Sequence, residues 1–203
     1  MSVAKADFDV IVVGYGPVSK VLASLLGKRG WRVGVFEKYV TPYGLPRAVH
    51  FDQDTVRILA SVMDVEKMKM VIEPANEYEC RNQDGLTLFK MLGEDEDYYV
   101  TGWPNDYTFS QPELEELMDE FCRSLPSVHL HLGCTVTEAE QTETSAHIIY
   151  TDPEGNRQKA SARYIVGCDG ANSTIRRIMN PTVTDLGFSL HWLVVDVIMK
   201  EPR

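Results

Sequence analysis

Two glycines and one carboxylate near the N-terminus stand at spacings that suit an anionic ligand. Gly14 and Gly16 follow the β-branched run Phe8–Val13, and a helical pattern begins at Pro17. Gly14 allows a tight turn, and Gly16 leaves space for a pyrophosphate to approach the N–H groups at a helix N-terminus. Glu37 closes the next strand about 20 residues on, where a carboxylate accepts hydrogen bonds from a ribose. The pattern predicts a dinucleotide site.

Neighbouring residues extend the predicted site, and one of them departs from the usual glycine pattern. We group Pro17, Val18 and Lys38 with it as binding residues. The third glycine of the fingerprint is replaced by Ser19, which is small, so we expect slightly wider helix–strand packing rather than loss of the site. A turn that binds nothing is the alternative interpretation. A P-loop is excluded, because Gly27-Lys28-Arg29 lacks the following Ser or Thr.

Histidines and cysteines are not grouped as metal ligands. His129 and His131 lie two apart on one predicted strand, and two ligands without a third do not make a zinc site, so we expect solvated histidines. The cysteines form no CxxC pair and are expected to be reduced and mostly buried. They are Cys80, Cys122, Cys134 and Cys168.

The composition excludes several classes of protein. The net charge is −10 and the pI is near 5.0, which argues against a nucleic-acid partner, because phosphate binding needs clustered Lys and Arg. No apolar run reaches the length of a membrane span, so no membrane partner is expected. The N-terminus enters a strand without a signal-peptide core, and we expect a cytoplasmic protein.

The elements that must position the glycines and the carboxylate form a β-α-β unit. The run Phe8–Val13 is typical of a strand buried on both faces in a parallel sheet. Trp31–Glu37 is predicted as the second strand. Between them, the segment 17–28 has five apolar residues at helical spacing, ending before Gly30. These are Val18, Val21, Leu22, Leu25 and Leu26.

Further along the chain, the patterns alternate between helix and strand. Helices are predicted from about Asp52 to Met63, from Pro112 to about Ser124 and from Ser173 to Met179. Two strands flank the turn 82–85, and the acidic segment 93–97 is predicted to be a solvated loop. Four period-two segments predict an antiparallel meander: Val128–Leu132, Thr135–Glu140, Ala146–Thr151 and Lys159–Ala162. A buried strand is predicted at Tyr164–Cys168, and another strand at 192–199, at the end of this sequence.

Three ordered segments resemble class A flavin monooxygenases: Leu45–Asp52 (LPRAVHFD), Phe109–Glu115 (FSQPELE) and Gly167–Arg177 (GCDGANSTIRR). The chain is similar to the para-hydroxybenzoate hydroxylase group. Within that group it looks most like the 3-(3-hydroxyphenyl)propionate hydroxylase and polyketide hydroxylase branch. Trp192–Asp196 also resembles that branch, at the entry to its substrate domain.

The resemblance implies roles for further residues. Arg47 would lie beside the flavin nucleotide, where a guanidinium fork suits a pyrophosphate, and Gln111 would hydrogen-bond the same part of the cofactor. Asp169 would contact FAD, while Gly170 would let the backbone pass close; this segment is also linked to NAD(P)H use. Arg176 is carried over as a structural residue. Three of these residues also have a plainer interpretation: Arg47 as a surface arginine, Gln111 as a polar residue at a helix N-terminus, and Asp169 as a helix cap.

The resemblance also implies a fold class and a division into domains. We expect an α/β protein with a Rossmann-like FAD-binding domain, containing a parallel sheet and a β-meander, and the beginning of a β-rich substrate domain. Residues 1–72 and 108–180 would form the discontinuous FAD-binding domain. Residues 73–107 and 181–203 would form part of the substrate domain.

The implied activity is FAD- and NAD(P)H-dependent hydroxylation of a phenolic or aromatic substrate through a flavin C4a-hydroperoxide. The flavin supplies this chemistry, so no catalytic residue and no metal are assigned. The partner is a small aromatic molecule, and a homodimer is one possible assembly. Four aromatic residues either line a substrate pocket or pack between domains: Tyr98, Tyr99, Trp103 and Tyr107.

The family's later Gly-Asp segment and most of its substrate domain do not occur in this sequence. We therefore expect an N-terminal part of such an enzyme, with weak FAD binding and negligible hydroxylation. One alternative is a non-catalytic module that binds FAD or another dinucleotide. Another is a different flavoenzyme of the same fold, a prenyl reductase or a halogenase, the latter disfavoured because no WxWxIP-type segment occurs. The DG segment and the meander disfavour a plain NAD-dependent dehydrogenase.

Overall fold

A computed structural model describes residues 6–41, 44, 47–75, 77–92, 101–191, 193, 195 and 200. The acidic segment 93–97, Tyr98, Tyr99 and most of the predicted final strand 192–199 lie outside these residues. The described elements, in chain order, are β1 (Val10–Val13), α1 (Pro17–Lys28), β2 (Val33–Glu37), β3 (His50–Asp52), α2 (Gln53–Ala60), α3 (Val65–Lys69), β4 (Ile72–Pro74), β5 (Glu77–Arg81), β6 (Thr87–Leu92), β7 (Asp106–Phe109), α4 (Gln111–Ser124), β8 (Val128–Leu132), β9 (Thr135–Gln141), β10 (Ala146–Thr151), β11 (Arg157–Ala162), β12 (Tyr164–Gly167) and α5 (Thr174–Met179).

A four-stranded parallel sheet with the order β12-β1-β2-β8 forms the centre of the fold. The predicted β-α-β unit of β1, α1 and β2 is confirmed, and so is the α/β fold class. Strand β1 lies between β2 and β12, so the chain leaves it in one direction through α1 and returns to its other side much later. In open α/β sheets such a switch point, at the carboxyl ends of the strands, is where ligands bind.

Two strand predictions need correction. β8 was assigned to the antiparallel meander, but it pairs in parallel with β2, Val33 opposite Val128. Its alternating pattern describes one strand's faces and contains no information about which strand it pairs with. β12 was predicted to be a buried strand, yet it lies at the edge of the sheet, where Tyr164 is 62% exposed.

The buried face of α1 also differs from the prediction. The apolar spacing suggested that Val18 faces the core, but its side chain is 72% exposed. The buried residues are instead Ser19, Lys20, Ala23, Ser24 and Gly27. Small residues allow close approach: a Cβ added at Gly27 would lie 2.6 Å from a methyl carbon of Val128. On this face of α1, the small size of a side chain therefore decides which residues are buried, because the helix packs closely against the sheet.

The predicted meander is confirmed for three strands, in the order β11-β10-β9. It packs on the parallel sheet through a shared core in which Ile11 and Phe36 meet Ile148. Next to this core, the ring of His131 stacks on Phe36 with centroids 4.4 Å apart. Burial, with a smaller contribution from His129, lowers the pKa of His131. His131 is thus a packed histidine, contrary to the prediction, whereas His129 is exposed.

A second layer forms around the antiparallel sheet β3-β7-β4. Helices α2, α3 and α4 cover it with a core that includes Val56, Met68 and Met118. Tyr107 is buried in this core and Trp103 packs against it, which favours packing over a pocket for these two aromatic residues. The predicted hairpin of β5 and β6 around the turn 82–85 is confirmed. Within the described part of the chain, no helix combines the length and apolarity needed to cross a membrane.

Candidate functional site: a crevice at the carboxyl ends of the parallel strands

A cavity of about 420 Å³ lies where β1, β2, β8 and β12 end. Its walls come from the turn after β1, the segment after β2, the loop before β3, the start of α4 and the segment after β12. Nine of the ten residues predicted to bind the cofactor line it: Gly14, Gly16, Pro17, Glu37, Lys38, Arg47, Gln111, Asp169 and Gly170. The tenth, Val18, projects into solvent from the first turn of α1. The topology thus brings together residues that are up to 156 positions apart.

Gly14 forms the tight turn that joins β1 to α1. Its φ is +99°, and a Cβ added there would lie 2.4 Å from the carbonyl oxygen of Cys168. Its N–H donates to the carbonyl of Phe36 at 2.8 Å. The Gly14 turn therefore contacts the ends of both neighbouring strands, and any side chain at this position would separate them.

Gly16 borders open space instead. It precedes Pro17 at the start of α1 with φ −81°, and no described atom lies within 4 Å of a Cβ added there. The first N–H groups of a helix have no intrahelical partner and point along its axis. Together with the helix dipole they favour an anion. This open cradle at a helix N-terminus fits a pyrophosphate.

Glu37 ties two segments of the cavity wall together. One carboxylate oxygen accepts the N–H of Tyr15 at 2.8 Å, and the other accepts the N–H of Tyr39 at 2.9 Å. A carboxylate has about four acceptor positions, so this one can also accept hydrogen bonds from ribose hydroxyls. Beside it, the ammonium group of Lys38 lies 4.8 Å from the centre of the Tyr39 ring.

Asp169 stabilises the start of the helix α5. One oxygen accepts the Ser173 hydroxyl at 2.5 Å, and the other accepts the N–H groups of Thr174 at 2.6 Å and Ile175 at 3.2 Å. The N-cap residue of α5 is Ser173, and Asp169 supports this cap from four residues earlier, while contact with a cofactor stays a prediction. Gly170 follows with φ +77° and no described atom within 4 Å of an added Cβ, which leaves room on the cavity side.

Gln111 holds the loop before β3. Its amide oxygen accepts the backbone N–H groups of Arg47 at 2.6 Å and Ala48 at 2.9 Å. Its amide nitrogen donates to Glu115 at 2.8 Å. Gln111 thus connects α4 to the Arg47 loop, in addition to any contact with a cofactor.

Sequence reasoning missed a buried ion pair at this wall, in which Glu115 also lines the cavity. Lys20, fully buried on α1, donates to Glu115 on α4 at 2.7 Å. On the same helix, the half-buried Asp119 accepts the Tyr15 hydroxyl at 2.8 Å. The available signal was the stripe of small residues around Lys20, namely Ser19, Ala23, Ser24 and Gly27, which marks a closely packed helix face.

Burial sets the protonation of several groups near the cavity. Burial raises the pKa of the Tyr15 hydroxyl, and the nearby Cys122 and Asp119 add to this effect. Burial also raises the pKa of the Cys134 and Cys168 thiols, which line the cavity. Neutral thiols are poor nucleophiles, so the raised pKa values disfavour covalent chemistry through these cysteines. Among the described residues no cluster of three metal ligands occurs.

The last predicted residue, Arg176, has a structural role as expected. Its guanidinium donates to the carbonyl of Ala171 at 2.5 Å, inside the segment that precedes α5. Arg177 makes the same kind of contact with Asn172 at 3.0 Å. Both arginines therefore brace the wall formed by the segment after β12.

Comparison with known proteins agrees with this geometry. The chain is 38% identical to a probable NADH-specific resorcinol 4-hydroxylase of Rhodococcus jostii (strain RHA1), over 93% of this chain and 35% of the relative. It is 30% identical to a 3-(3-hydroxy-phenyl)propionate/3-hydroxycinnamic acid hydroxylase of Mycobacterium sp. (strain JLS), over 94% of this chain and 33% of the relative. The chain therefore spans about a third of the length of the curated relatives it matches.

Among solved structures, the p-nitrophenol 4-monooxygenase PnpA of Pseudomonas putida DLL-E4 superposes with a TM-score of 0.76. It is 26% identical and the match covers 86% of this chain and 44% of the other. The resemblance to flavin-dependent aromatic hydroxylases is thereby confirmed. A family profile described as FAD binding domain matches residues 7–203. Fold, crevice and sequence agree, and the chain belongs to the FAD binding domain family.

Proposed function

We propose that this crevice holds the ADP-ribityl side of FAD, in a protein that hydroxylates a small phenolic substrate with NAD(P)H as reductant. The observation that carries the proposal is the cavity at the switch point of the sheet. Nine residues that the sequence predicts to bind the cofactor line this cavity, although they come from five separate segments of the chain.

The crevice offers one complementary group for each part of an adenine dinucleotide. The open cradle at Gly16 suits the pyrophosphate, with the N–H groups of Val18 and Ser19 at the helix N-terminus as donors. The carboxylate of Glu37 suits the ribose diol. Arg47 and Lys38 supply positive charge beside the phosphates. Asp169 and Gly170 border the path toward the flavin end.

The hydroxylation part of the proposal comes from the relatives. When bound, FAD supplies the redox chemistry and the activation of oxygen. The residues described here bind and orient it, and they exclude water from the nucleotide. The relatives are named for the hydroxylation of resorcinol and of 3-(3-hydroxyphenyl)propionate. These names favour a phenol as substrate for the whole protein.

One feature supports the proposed domain division, namely the hairpin β5-β6, whereas the sheet β3-β7-β4 joins strands from both sides of the proposed boundary. Segments 1–72 and 108–180 contain the parallel sheet, the meander and α4, all of which contribute to the core around the crevice. The hairpin of β5 and β6 forms a sheet of its own in 73–107. We propose that this hairpin belongs to the substrate domain.

Titration of the purified chain with FAD tests the binding proposal. We expect flavin fluorescence to change in a saturable way, and ADP to compete because it occupies the same pyrophosphate cradle. The test variant is Gly16→Ala, which adds one methyl group where the structure leaves open space and should weaken FAD binding. A folded chain that binds no FAD, or one whose affinity is unchanged in Gly16→Ala, would contradict the proposal.

A chimaera tests the reaction. Residues 7–195 would replace the matching part of the resorcinol 4-hydroxylase relative, and NADH oxidation and hydroxylated product would be measured with resorcinol. We expect coupled turnover in the chimaera and negligible product from the 203-residue chain alone. A chimaera that folds and binds FAD but forms no product would contradict the hydroxylation proposal.

A further inference from the structure

We infer that Lys20 and Glu115 are positioning residues: their buried ion pair orients Gln111, which in turn holds the backbone of the Arg47 loop at the cavity. The inference about the loop stands on the geometry alone. Its effect on FAD affinity rests on the proposed function.

The first link is the ion pair inside the molecule. The Lys20 side chain is fully buried, and its ammonium group donates to a Glu115 carboxylate oxygen at 2.7 Å and to the Glu115 carbonyl at 3.3 Å. It also lies 5.1 Å from the centre of the Tyr15 ring. A buried charge persists only when its partners are well placed. The Glu115 carboxylate is therefore held in one orientation.

The second link is the amide of Gln111, one helical turn before Glu115 on α4. The remaining oxygen of Glu115 accepts the Gln111 amide nitrogen at 2.8 Å. If the amide were rotated by half a turn, its oxygen would face this carboxylate, and its NH₂ would face two backbone N–H groups. Both contacts would be repulsive, so the carboxylate fixes which end of the amide faces the loop.

The third link reaches the cavity. The Gln111 oxygen accepts the N–H groups of both Arg47 and Ala48. One atom thus fixes two successive peptide units of the loop that carries Arg47 into the cavity wall. Gln111 is the residue that connects the Lys20–Glu115 pair to the backbone of Arg47 and Ala48.

We expect the protein to fold without an ion pair at this place. Replacing a buried pair by apolar residues of similar volume is often neutral or stabilising. The double variant Lys20→Met/Glu115→Leu should therefore stay folded, while Gln111 loses the carboxylate that orients it. This separates the positioning role from a purely structural one.

Hydrogen exchange at the amides of Arg47 and Ala48 provides the test without any cofactor. We expect exchange in the double variant to be roughly tenfold faster than in the original chain, which corresponds to about one lost hydrogen bond. FAD affinity should fall by about the same factor. Glu115→Asp is the second variant, since it keeps the charge but shortens the reach to Gln111, and it should give the same faster exchange.

Met118→Ala is the matched control. Met118 lies on the same helix, but it is buried against α2 and α3, so its truncation lowers the melting temperature without touching Gln111. Unchanged exchange at Arg47 and Ala48 in both test variants would overturn the inference. Equally fast exchange in Met118→Ala would also overturn it. If the original chain binds no FAD, the proposed function fails while the exchange measurement still decides the inference.

Discussion

Substituting alanine for Gly14 and for Gly16 should separate folding from ligand binding. The two glycines are two residues apart in one turn, and both belong to the same fingerprint. Their surroundings differ, because Gly14 contacts the segment after β12 and Gly16 borders the cavity. We expect Gly14→Ala to lose stability and Gly16→Ala to lose affinity for FAD.

The magnitude for Gly14→Ala follows from its geometry. A positive φ of 99° costs an L side chain about 1–2 kcal/mol. The added methyl group would lie 2.4 Å from the Cys168 oxygen and 2.7 Å from its carbonyl carbon, and overpacking of this kind costs about 1–3 kcal/mol. The sum is about 2–5 kcal/mol in the free energy of unfolding. For a protein of this size that lowers the melting temperature by about 4–20 °C.

Gly16→Ala meets neither cost. Its φ of −81° suits any residue, and the added methyl group points into open space. We expect a change in stability within about 0.5 kcal/mol. The methyl group would stand between the pyrophosphate and the helix N–H groups, so FAD should bind at least about tenfold more weakly, a loss of roughly 1.4 kcal/mol.

Thermal unfolding followed by circular dichroism, without FAD, measures the first effect. Titration with FAD at a temperature where both variants are folded measures the second. The reasoning is refuted if Gly14→Ala melts with the original chain, or if Gly16→Ala is destabilised as strongly as Gly14→Ala. Unaltered FAD affinity in Gly16→Ala would refute the assignment of the cradle.

Three further outcomes are expected. Asp169→Ala should lower the free energy of unfolding by about 0.5–2 kcal/mol, because the N–H groups of Thr174 and Ile175 at the start of α5 lose their acceptor. Chemical denaturation measures this, and an equal loss in Asp169→Asn would contradict it. Hydrogen bonds from Ser161 lower the pKa of Asp7. The contribution of Asp7 to stability is therefore complete above about pH 4 and is lost as the pH falls through its folded pKa. In Asp7→Asn the melting temperature should fall less steeply as the pH is lowered below about 4. Since burial raises the pKa of the Cys134 and Cys168 thiols, alkylation monitored by mass spectrometry should be slow at about pH 8.5, and rapid labelling of a folded chain would contradict this.

The turn at Gly14 and Gly16 could be predicted from the sequence because its determinants are local. A glycine turn between a β-branched run and a helix, with an acid closing the next strand, fixes the conformation within about 30 residues. The positions of Gly14, Gly16 and Glu37 in the cavity agree with this prediction. The bounds of α1, α4 and α5 could be predicted to within one residue for the same reason.

The parts that failed depend on partners distant in sequence. Lys20 is separated from Glu115 by 95 residues, and a lysine in a helix is usually solvated. The exposure of Val18 and the burial of Ser19 result from how closely α1 approaches the sheet, which apolar spacing does not record. The pairing of β8 with β2 likewise depends on sheet order, because a strand's alternation is the same in either sheet.

The strand β12 lies far from β1 in the sequence, and this separation has a consequence for how the protein folds. β1, α1 and β2 are complete within the first 37 residues, yet the strand that flanks β1 on its other side begins at Tyr164. The Asp7 carboxylate likewise accepts hydrogen bonds from Ser161, which lies 154 positions further along the chain. Contacts of such long range are slow to form, so during synthesis the Gly14 turn emerges well before the segment that closes against it. The rate of crevice formation should therefore follow the docking of β12.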